Sequence, residues 1–158
     1  MRRIINYNEP ILLVSEMSAA DNIRIVNAAL KAFEAHDMDG FVSYMSDSVV
    51  DYTPGRSEPL RGREAVKQDN VGFLSIYPDV KFEITRIFGD GDIVCAEGFV
   101  KGTNKGPIPE PDGSMMRPTN KSVRVPACFI AKIENGLITE IREYLDQQEF
   151  SRQLGILN

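Results

Sequence analysis

The sequence predicts one domain of the α+β class, with helices in its first half and strands in its second. Three observations predict it. Apolar residues recur at helical spacing over residues 18–36, they alternate in the segments after residue 80, and turn signals at 89–92 and 134–136 separate those segments. Helices followed by strands indicate α+β rather than alternating βαβ units. A curved sheet wrapped on a long N-terminal helix would leave a cavity, an ordinary place for a small-molecule site.

The helical half contains three predicted helices. Ser18 and Asp21 predict the start of the first helix, because a serine cap accepts from early backbone amides and an acid suits a helix N-terminus. This helix runs to about His36. A short second helix follows over residues 39–45, and a third covers residues 63–76.

The remaining segments read as strands joined by turns and one long loop. The loop covers residues 101–120, and a short terminal helix is predicted over residues 146–155. The predicted strands cover residues 47–52, 80–88, 93–100, 122–133 and 137–145.

Composition and charge exclude several classes of function. The chain has 158 residues and a net charge of −5, so it lacks the basic footprint of a nucleic-acid-binding protein or of a protein that binds anionic membranes. Cys95 and Cys128 form no CxxC pair and His36 is the single histidine, which argues against a structural zinc site. We therefore expect no metal.

Residues 1–17 are predicted to be an arm outside a single domain of residues 18–158. The apolar run at residues 11–14 is too short for a signal-peptide core or a membrane span. We expect a cytoplasmic protein with reduced cysteines.

Several segments, in this order and spacing, resemble the SnoaL-like polyketide cyclase (ester cyclase) family. In that family the matching segments read roughly GTHxGP, PTGRxVxVPGC, DGKI, YWD and QLG. The corresponding segments here are GTNKGP at 102–107, RPTNKSVRVPAC at 117–128, NGLI at 135–138, EYLD at 143–146 and QLG at 153–155.

The resemblance extends over about residues 18–157 and includes the helix entry RGREA at 61–65. It implies the NTF2-like (cystatin-like) α+β cone, in which a curved mixed sheet wraps around a long N-terminal helix with two shorter helices. Ketosteroid isomerase and scytalone dehydratase share this fold. It also implies an apolar small-molecule ligand and a homodimer. One fold hosts many chemistries, so function must be argued from the site.

Asp146 matches the aspartate of the family's YWD segment, so the resemblance implies an acid/base role in an intramolecular aldol cyclisation. A carboxylate in an apolar cavity has a raised pKa and can exchange protons near neutrality. No cofactor is expected, because the substrate carbonyls already acidify the proton. Asp146 also suits a helix N-cap.

Tyr144 and Arg142 share the strand face of Asp146. Tyr144 could orient a substrate carbonyl or pack in the core. Arg142 could pair with Asp146 or form an ordinary ion pair.

Three further residues are weaker candidates for the site. Asn104 stands where relatives have His; it can hydrogen-bond a substrate oxygen but cannot take a proton, and it could equally be a structural loop residue. Glu97 interrupts an apolar strand, which suggests the cavity or a subunit interface. Glu143 is expected on the opposite face from Tyr144, in solvent, although some relatives carry Asp there.

Asp51 ends the first strand in a context similar to that of the catalytic base of ketosteroid isomerase, ahead of SEPLRG at 57–62. Such enzymes use a protonated Asp as oxyanion donor near the position of Cys128. A thiol is a weak donor, which counts against that isomerase, and Cys128 suits a small buried residue.

We therefore predict a cofactor-independent acid/base enzyme that acts on an apolar, carbonyl-rich small molecule. Asp146 and Asp51 are the catalytic candidates, and the substrate-binding candidates are Tyr144, Asn104, Glu97, Cys128 and Arg142. The alternatives are a non-catalytic ligand-binding protein, a ketosteroid-isomerase-like isomerase, and an epoxide hydrolase in which Arg142, Asp146 and Asp51 hold water.

Overall fold

The computed structural model describes residues 18–110 and 112–156. The predicted arm of residues 1–17 lies outside the described residues. The helices are α1 (Ala19–Glu34), α2 (Met38–Ser43), α3 (Arg63–Ile76) and α4 (Gln147–Leu154).

Helix α1 begins as its sequence predicts. The Ser18 side chain accepts from the backbone amide of Asp21 at 3.2 Å, and the Asp21 carboxylate accepts from the backbone amide of Ser18 at 3.2 Å. This reciprocal capping box satisfies two amides that would otherwise lack helical partners. It fixes the start of the helix that lies against the sheet.

The strands among the described residues are β1 (Met45–Tyr52), β2 (Leu60–Arg61), β3 (Lys81–Asp90), β4 (Ile93–Thr103), β5 (Ile108–Pro109), β6 (Met115–Met116), β7 (Ser122–Glu134) and β8 (Leu137–Leu145). Six of them form one mixed sheet in the order β2-β1-β8-β7-β4-β3, in which β1 runs parallel to β8 and all other neighbours are antiparallel. A separate small hairpin consists of β5 and β6. The predicted α+β class with a mixed sheet is confirmed.

Alternation along the strands gives the sheet two different faces. On β4, Val94 and Ala96 are buried, and Val94 joins a core cluster that includes Val26 and Ala29 of α1; we call this face of the sheet the inner face. The residues that alternate with them, Cys95 and Glu97, lie on the outer face, away from α1. The inner face therefore encloses the space between sheet and helices.

The sheet bends where β3 and β4 approach most closely. The register of this pair shifts between Ile84 and Arg86, and a Cβ added to Gly98 would lie 2.0 Å from the backbone oxygen of Glu83. Only glycine fits there. A bulge of this kind increases local bending, which curves the sheet around α1.

Two short elements escaped the sequence prediction. Strand β2 pairs with β1 through Leu60 and Arg61, and the β5–β6 hairpin lies within the segment expected to be a loop over residues 101–120. Each strand has only two residues, too few for a detectable alternation. Within the described ranges, no helix has the length and apolar character needed to cross a membrane.

Candidate functional site

A small cavity of about 60 Å³ lies between the inner face of the sheet and the helices. Its wall is largely apolar and includes Phe33 of α1 and Phe129 of β7. Three polar side chains interrupt that wall, namely Asp51, Asn70 and Glu143. Asp51 is buried, and Asn70 and Glu143 are half-buried. Polar groups removed from water cost free energy unless they have partners, so three of them on one apolar cavity mark a candidate functional site.

Strand pairing brings the two carboxyl groups together. Asp51 of β1 lies in register with Ile141 of the parallel strand β8, and Glu143 follows two residues later. Because side chains alternate along a strand, Ile141 and Glu143 share the inner face with Asp51. Asn70 reaches the cavity from α3, where its side-chain amide donates to the Val66 carbonyl at 2.8 Å.

Asp51 is a buried acid. Its side chain is 2% exposed, and its Oδ1 atom has no hydrogen-bond partner among the described residues. Burial, and after it the negative charge of Asp69, raise the pKa of Asp51 to about 6 against the opposing effect of the Arg56 guanidinium. Asp51 is therefore mostly ionised at neutral pH but readily protonated just below it.

Glu143 holds its proton more tightly. Burial raises its pKa to about 8, and the charges of Asp51 and Asp69 contribute in the same direction, with Arg56 again opposing them. Glu143 is therefore a neutral carboxylic acid at neutral pH. The expectation that it lies in solvent is wrong, because the face opposite Tyr144 is the one that packs on the helices.

An ion pair lies beside the two acids. Arg56, in the loop after β1, pairs with Asp69 of α3, and both side chains are partly exposed. The charges of both act on Asp51 and Glu143. Asp51, Glu143 and Asp69 thus lie with one guanidinium, that of Arg56. This excess of negative charge favours the retention of a proton on Glu143.

A groove of about 990 Å³ lies on the outer side of the sheet, and Glu143 borders both this groove and the inner cavity. Aromatic side chains line it, among them Phe88, which is 53% exposed, and Phe99. The groove has the size and lining typical of a site for a small organic ligand, whereas the inner cavity alone is too small for one. Glu143 therefore stands where a ligand-sized groove meets the buried acid.

The structure places three predicted residues in this groove. Tyr144 is 52% exposed and points outward, not into the inner cavity. Glu97 also lies on the outer face, where it forms an ion pair with Arg86 at 3.3 Å. Cys128 lies beside Cys95, with 3.4 Å between the two sulfur atoms.

The other predicted residues lie elsewhere. Asp146 is exposed at the N-cap of α4 and accepts from the Glu149 backbone amide at 2.9 Å, so its capping role is confirmed. Arg142 forms an ion pair with Glu140, with 2.7 Å between its Nε atom and the Glu140 Oε1 atom. Its guanidinium carbon also lies over the Tyr52 ring, 4.2 Å from the ring centre. Neither lines the cavity or the groove.

Asn104 is fully buried within its own loop. Its side-chain amide donates to the Gly106 carbonyl at 2.8 Å, and its side-chain oxygen accepts from the Thr119 amide at 2.6 Å. These bonds organise the loop, as the structural alternative for Asn104 predicted. The residue does not border the cavity or the groove.

Four residues of the site were missed or underrated from sequence, namely Glu143, Asn70, Asp69 and Arg56. For Glu143 a signal existed: it follows Ile141 on the face of β8 that faces Asp51. For the other three, the sequence carries no local pattern that distinguishes them from ordinary helix and loop residues.

The arrangement supports proton transfer. Two neighbouring carboxyl groups with pKa values of about 6 and about 8 let one accept a proton while the other donates one near neutrality. Among the described residues, no three His, Cys, Asp or Glu side chains form a group that could hold a metal ion.

Comparison with known proteins bears on the family and the fold of this chain. A family model described as SnoaL-like polyketide cyclase matches residues 23–154. Among curated proteins, none matches this chain.

Solved structures share the fold at low sequence identity. A SnoaL-like protein from Jannaschia sp. CCS1 is 17% identical, with a TM-score of 0.77 over 89% of this chain and 95% of its own. TsrD from Streptomyces laurentii is 22% identical, with a TM-score of 0.75 over 90% of this chain and 100% of its own. An NTF2-like protein from Burkholderia xenovorans LB400 is 21% identical, with a TM-score of 0.68 over 87% of this chain and 98% of its own.

Proposed function

The chain belongs to the SnoaL-like polyketide cyclase family, and within it we propose a cofactor-independent acid/base enzyme with Asp51 as base and Glu143 as acid. The observation that carries this proposal is the pair of carboxyl groups on the inner cavity, the buried Asp51 and the half-buried Glu143, whose pKa values of about 6 and about 8 lie on either side of neutrality. When the surroundings of two carboxyl groups separate their pKa values in this way, the group with the lower pKa is the base and the group with the higher pKa is the acid.

The proposed reaction is an intramolecular aldol cyclisation. The Asp51 carboxylate takes a proton from a carbon next to a substrate carbonyl, and the carbanion attacks a second carbonyl of the same molecule to form a carbon–carbon bond. Glu143 gives its proton to the oxygen that becomes the alkoxide. The proton on Asp51 then returns to Glu143, so the pair is restored with no net change in protons.

The proposed substrate is an apolar, carbonyl-rich small molecule bound in the outer groove. The groove volume and its aromatic lining support this class. Glu143 borders the groove and the inner cavity alike. Asp51 lines the inner cavity and not the groove, so the reactive end of the substrate would have to extend past Glu143 into that cavity, within reach of the Asp51 carboxylate.

The alternatives depend on the same geometry. An isomerase would use Asp51 as its base, but Cys128 lies on the outer face and cannot serve as an oxyanion donor in the inner cavity. An epoxide hydrolase built from Arg142, Asp146 and Asp51 lacks support, because Arg142 bonds Glu140 and Asp146 caps α4. A non-catalytic ligand-binding protein remains the alternative from another class, to be separated by experiment.

The experiment is a turnover screen of carbonyl-rich polycyclic compounds, with Asp51→Asn and Glu143→Gln as the test variants. We expect each to lower turnover by about 100-fold or more, the usual contribution of a general acid or base. Glu140→Gln is the matched control, because Glu140 lies on the same strand but on its outer side. The acid/base role predicted for Asp146 stays a prediction, and Asp146→Asn tests it in the same screen.

Two outcomes would reject the proposal. Equal turnover in the wild type and both test variants would remove the carboxyl pair from the mechanism. Tight binding of the same compounds without any turnover would favour the ligand-binding alternative.

We also propose a homodimer formed through the outer face of the sheet. Exposed aromatic side chains on this face, including Phe88 and Tyr144, support it. A second copy packed there would roof the groove and exclude water from it. Light scattering should give twice the chain mass, and a monomer at all concentrations would contradict this assembly.

A cytoplasmic location is part of the same proposal. Cys95 and Cys128 are free thiols, as expected in a reducing compartment. Cell fractionation tests this location, and recovery of the protein outside the cytoplasmic fraction would contradict it.

A further inference from the structure

The two cysteines of the chain lie side by side on neighbouring strands. Cys95 of β4 pairs in register with Ile130 of β7, and Cys128 lies two residues earlier on β7. Both are half-buried on the outer face and line the groove, and their sulfur atoms are 3.4 Å apart. This contact joins residues far apart in the sequence and plays no part in the proposed acid/base chemistry.

We propose that Cys95 and Cys128 form an oxidisable dithiol that small disulfides convert into an intramolecular disulfide bridge. A disulfide bond is about 2.05 Å long, so the sulfur atoms must approach by little more than about 1 Å. Cys95 and Cys128 are diagonal and not directly opposite neighbours, because Cys95 faces Ile130 and Cys128 faces Glu97. Diagonal neighbours lie about 7–8 Å apart, slightly more than the Cα separation of up to about 6.8 Å that disulfides span. The bridge therefore needs side-chain rotation and a small approach of the two backbones, without a break in the pairing of β4 with β7.

The reaction is two successive thiol–disulfide exchanges. The Cys95 thiolate attacks one sulfur of the reagent, forms a mixed disulfide and releases one reagent thiolate. The Cys128 thiolate then attacks the sulfur of Cys95, forms the bridge and releases the second thiolate. The two cysteines together lose two electrons and two protons, and the reagent disulfide gains them as two thiols.

The order of the two steps follows from the surroundings of Cys128. Burial raises its pKa to about 11, and the neighbouring Cys95 contributes in the same direction. A thiol with so high a pKa is rarely ionised near neutrality, so Cys128 seldom attacks a reagent from solution. The Cys95 sulfur lies 3.4 Å away, so Cys128 attacks it within the chain once Cys95 carries the mixed disulfide, and this proximity compensates for the small thiolate fraction.

The bridge would also stabilise the fold. It would close a loop from residue 95 to residue 128, which includes the long connection between β4 and β7. Closing a loop of this length lowers the entropy of the unfolded chain. We expect a rise in the thermal midpoint of roughly 5–10 °C for a chain of this size.

The test measures the fraction of bridged chains at equilibrium, starting once from reduced protein and once from bridged protein. Native protein is incubated with oxidised glutathione, and protein bridged while unfolded is refolded and placed in the same glutathione buffer. After alkylation of free thiols, mass spectrometry should show the same bridged fraction from both directions. The bridged chain should lack two hydrogen atoms, carry no alkyl group and melt at the higher temperature.

The variants Cys95→Ser and Cys128→Ser serve as controls, because each retains one thiol and can form only a mixed disulfide with glutathione. Cys128→Ser should accumulate that mixed disulfide at Cys95. The proposal would be overturned if both starting samples, the native reduced protein and the refolded bridged protein, ended with two alkylatable thiols per chain. A bridged chain that melts below the reduced chain would overturn it as well, since the bridge would then conflict with the native strand pairing.

Discussion

Replacement of Glu143 by Gln should stabilise the fold at alkaline pH and leave it unchanged at acidic pH. Glutamine has nearly the shape of the protonated glutamic acid and carries no charge. The substitution therefore removes only the cost of ionising a carboxyl group that faces the inner cavity.

The sign follows from the direction of the pKa change. The pKa of Glu143 rises from its ordinary value of 4.5 to about 8, so between these values the folded chain holds a proton that the unfolded chain has lost. The stability from this group is complete below about pH 4.5 and is lost as the pH rises through about 8. A difference of this size corresponds to at most about 5 kcal/mol. Partial exposure reduces it to about 2–4 kcal/mol.

The assay is chemical denaturation of the wild type and of Glu143→Gln at several pH values from about 5 to about 9. The two proteins should have nearly equal free energies of unfolding at the acidic end. The variant should be more stable at the alkaline end by about 2–4 kcal/mol. Glu140→Gln is the control: it removes a carboxylate from the same strand, one that pairs with Arg142 on the outer side.

The result that would refute this reasoning is a pH dependence of stability that is the same in the wild type and in Glu143→Gln. Glu143 would then titrate as an ordinary surface carboxylate. The buried acid on which the proposed mechanism depends would not exist.

Three further predictions test the other residues. Turnover should show a bell-shaped pH dependence, with an acidic limb near 6 that disappears in Asp51→Asn and an alkaline limb near 8 that disappears in Glu143→Gln; unchanged limbs would contradict the assignment. Asp146→Ala should lower the free energy of unfolding by about 1 kcal/mol, whereas Asp146→Asn should retain stability because Asn also caps helices; equal losses would argue against the cap. Asn104→Ala should lower stability by about 2–4 kcal/mol and speed amide exchange at Thr119, and unaltered exchange would show that the loop does not need this bond.

Periodicity made most of the fold predictable. The predicted third helix over residues 63–76 and the last strand over residues 137–145 coincide with α3 and β8. Long amphipathic segments carry enough repeats of their pattern to identify themselves. Strand β2 and the β5–β6 hairpin were not predictable, because tertiary pairing alone defines such short strands.

The candidate site was predictable only in part, and β8 shows why. Alternation correctly placed Tyr144 and Glu143 on opposite faces, but both faces carry apolar and charged residues. The pattern alone therefore could not say which face the helices cover. Tyr144 was predicted to face the cavity because it shares a strand face with Asp146, which matches the aspartate of the family's YWD segment. The structure shows that Glu143 faces the cavity instead.

Asp51 was found from sequence because its place at the end of the first strand, ahead of SEPLRG at 57–62, resembles the context of the catalytic base of ketosteroid isomerase. Its partner could not be found in this way. Glu143 lies far away in the sequence, and only the parallel pairing of β1 with β8 makes the two residues neighbours. Nothing in the first half of the chain specifies that pairing.

The central claim is that Asp51 and Glu143 share one interior site and hold a single proton between them at neutral pH. An NMR titration of the side-chain carboxyl carbons in the wild type measures this directly. The account predicts a midpoint of about 6 for Asp51 and of about 8 for Glu143. Titration of both groups to completion below about pH 5, as for ordinary surface carboxylates, would contradict it.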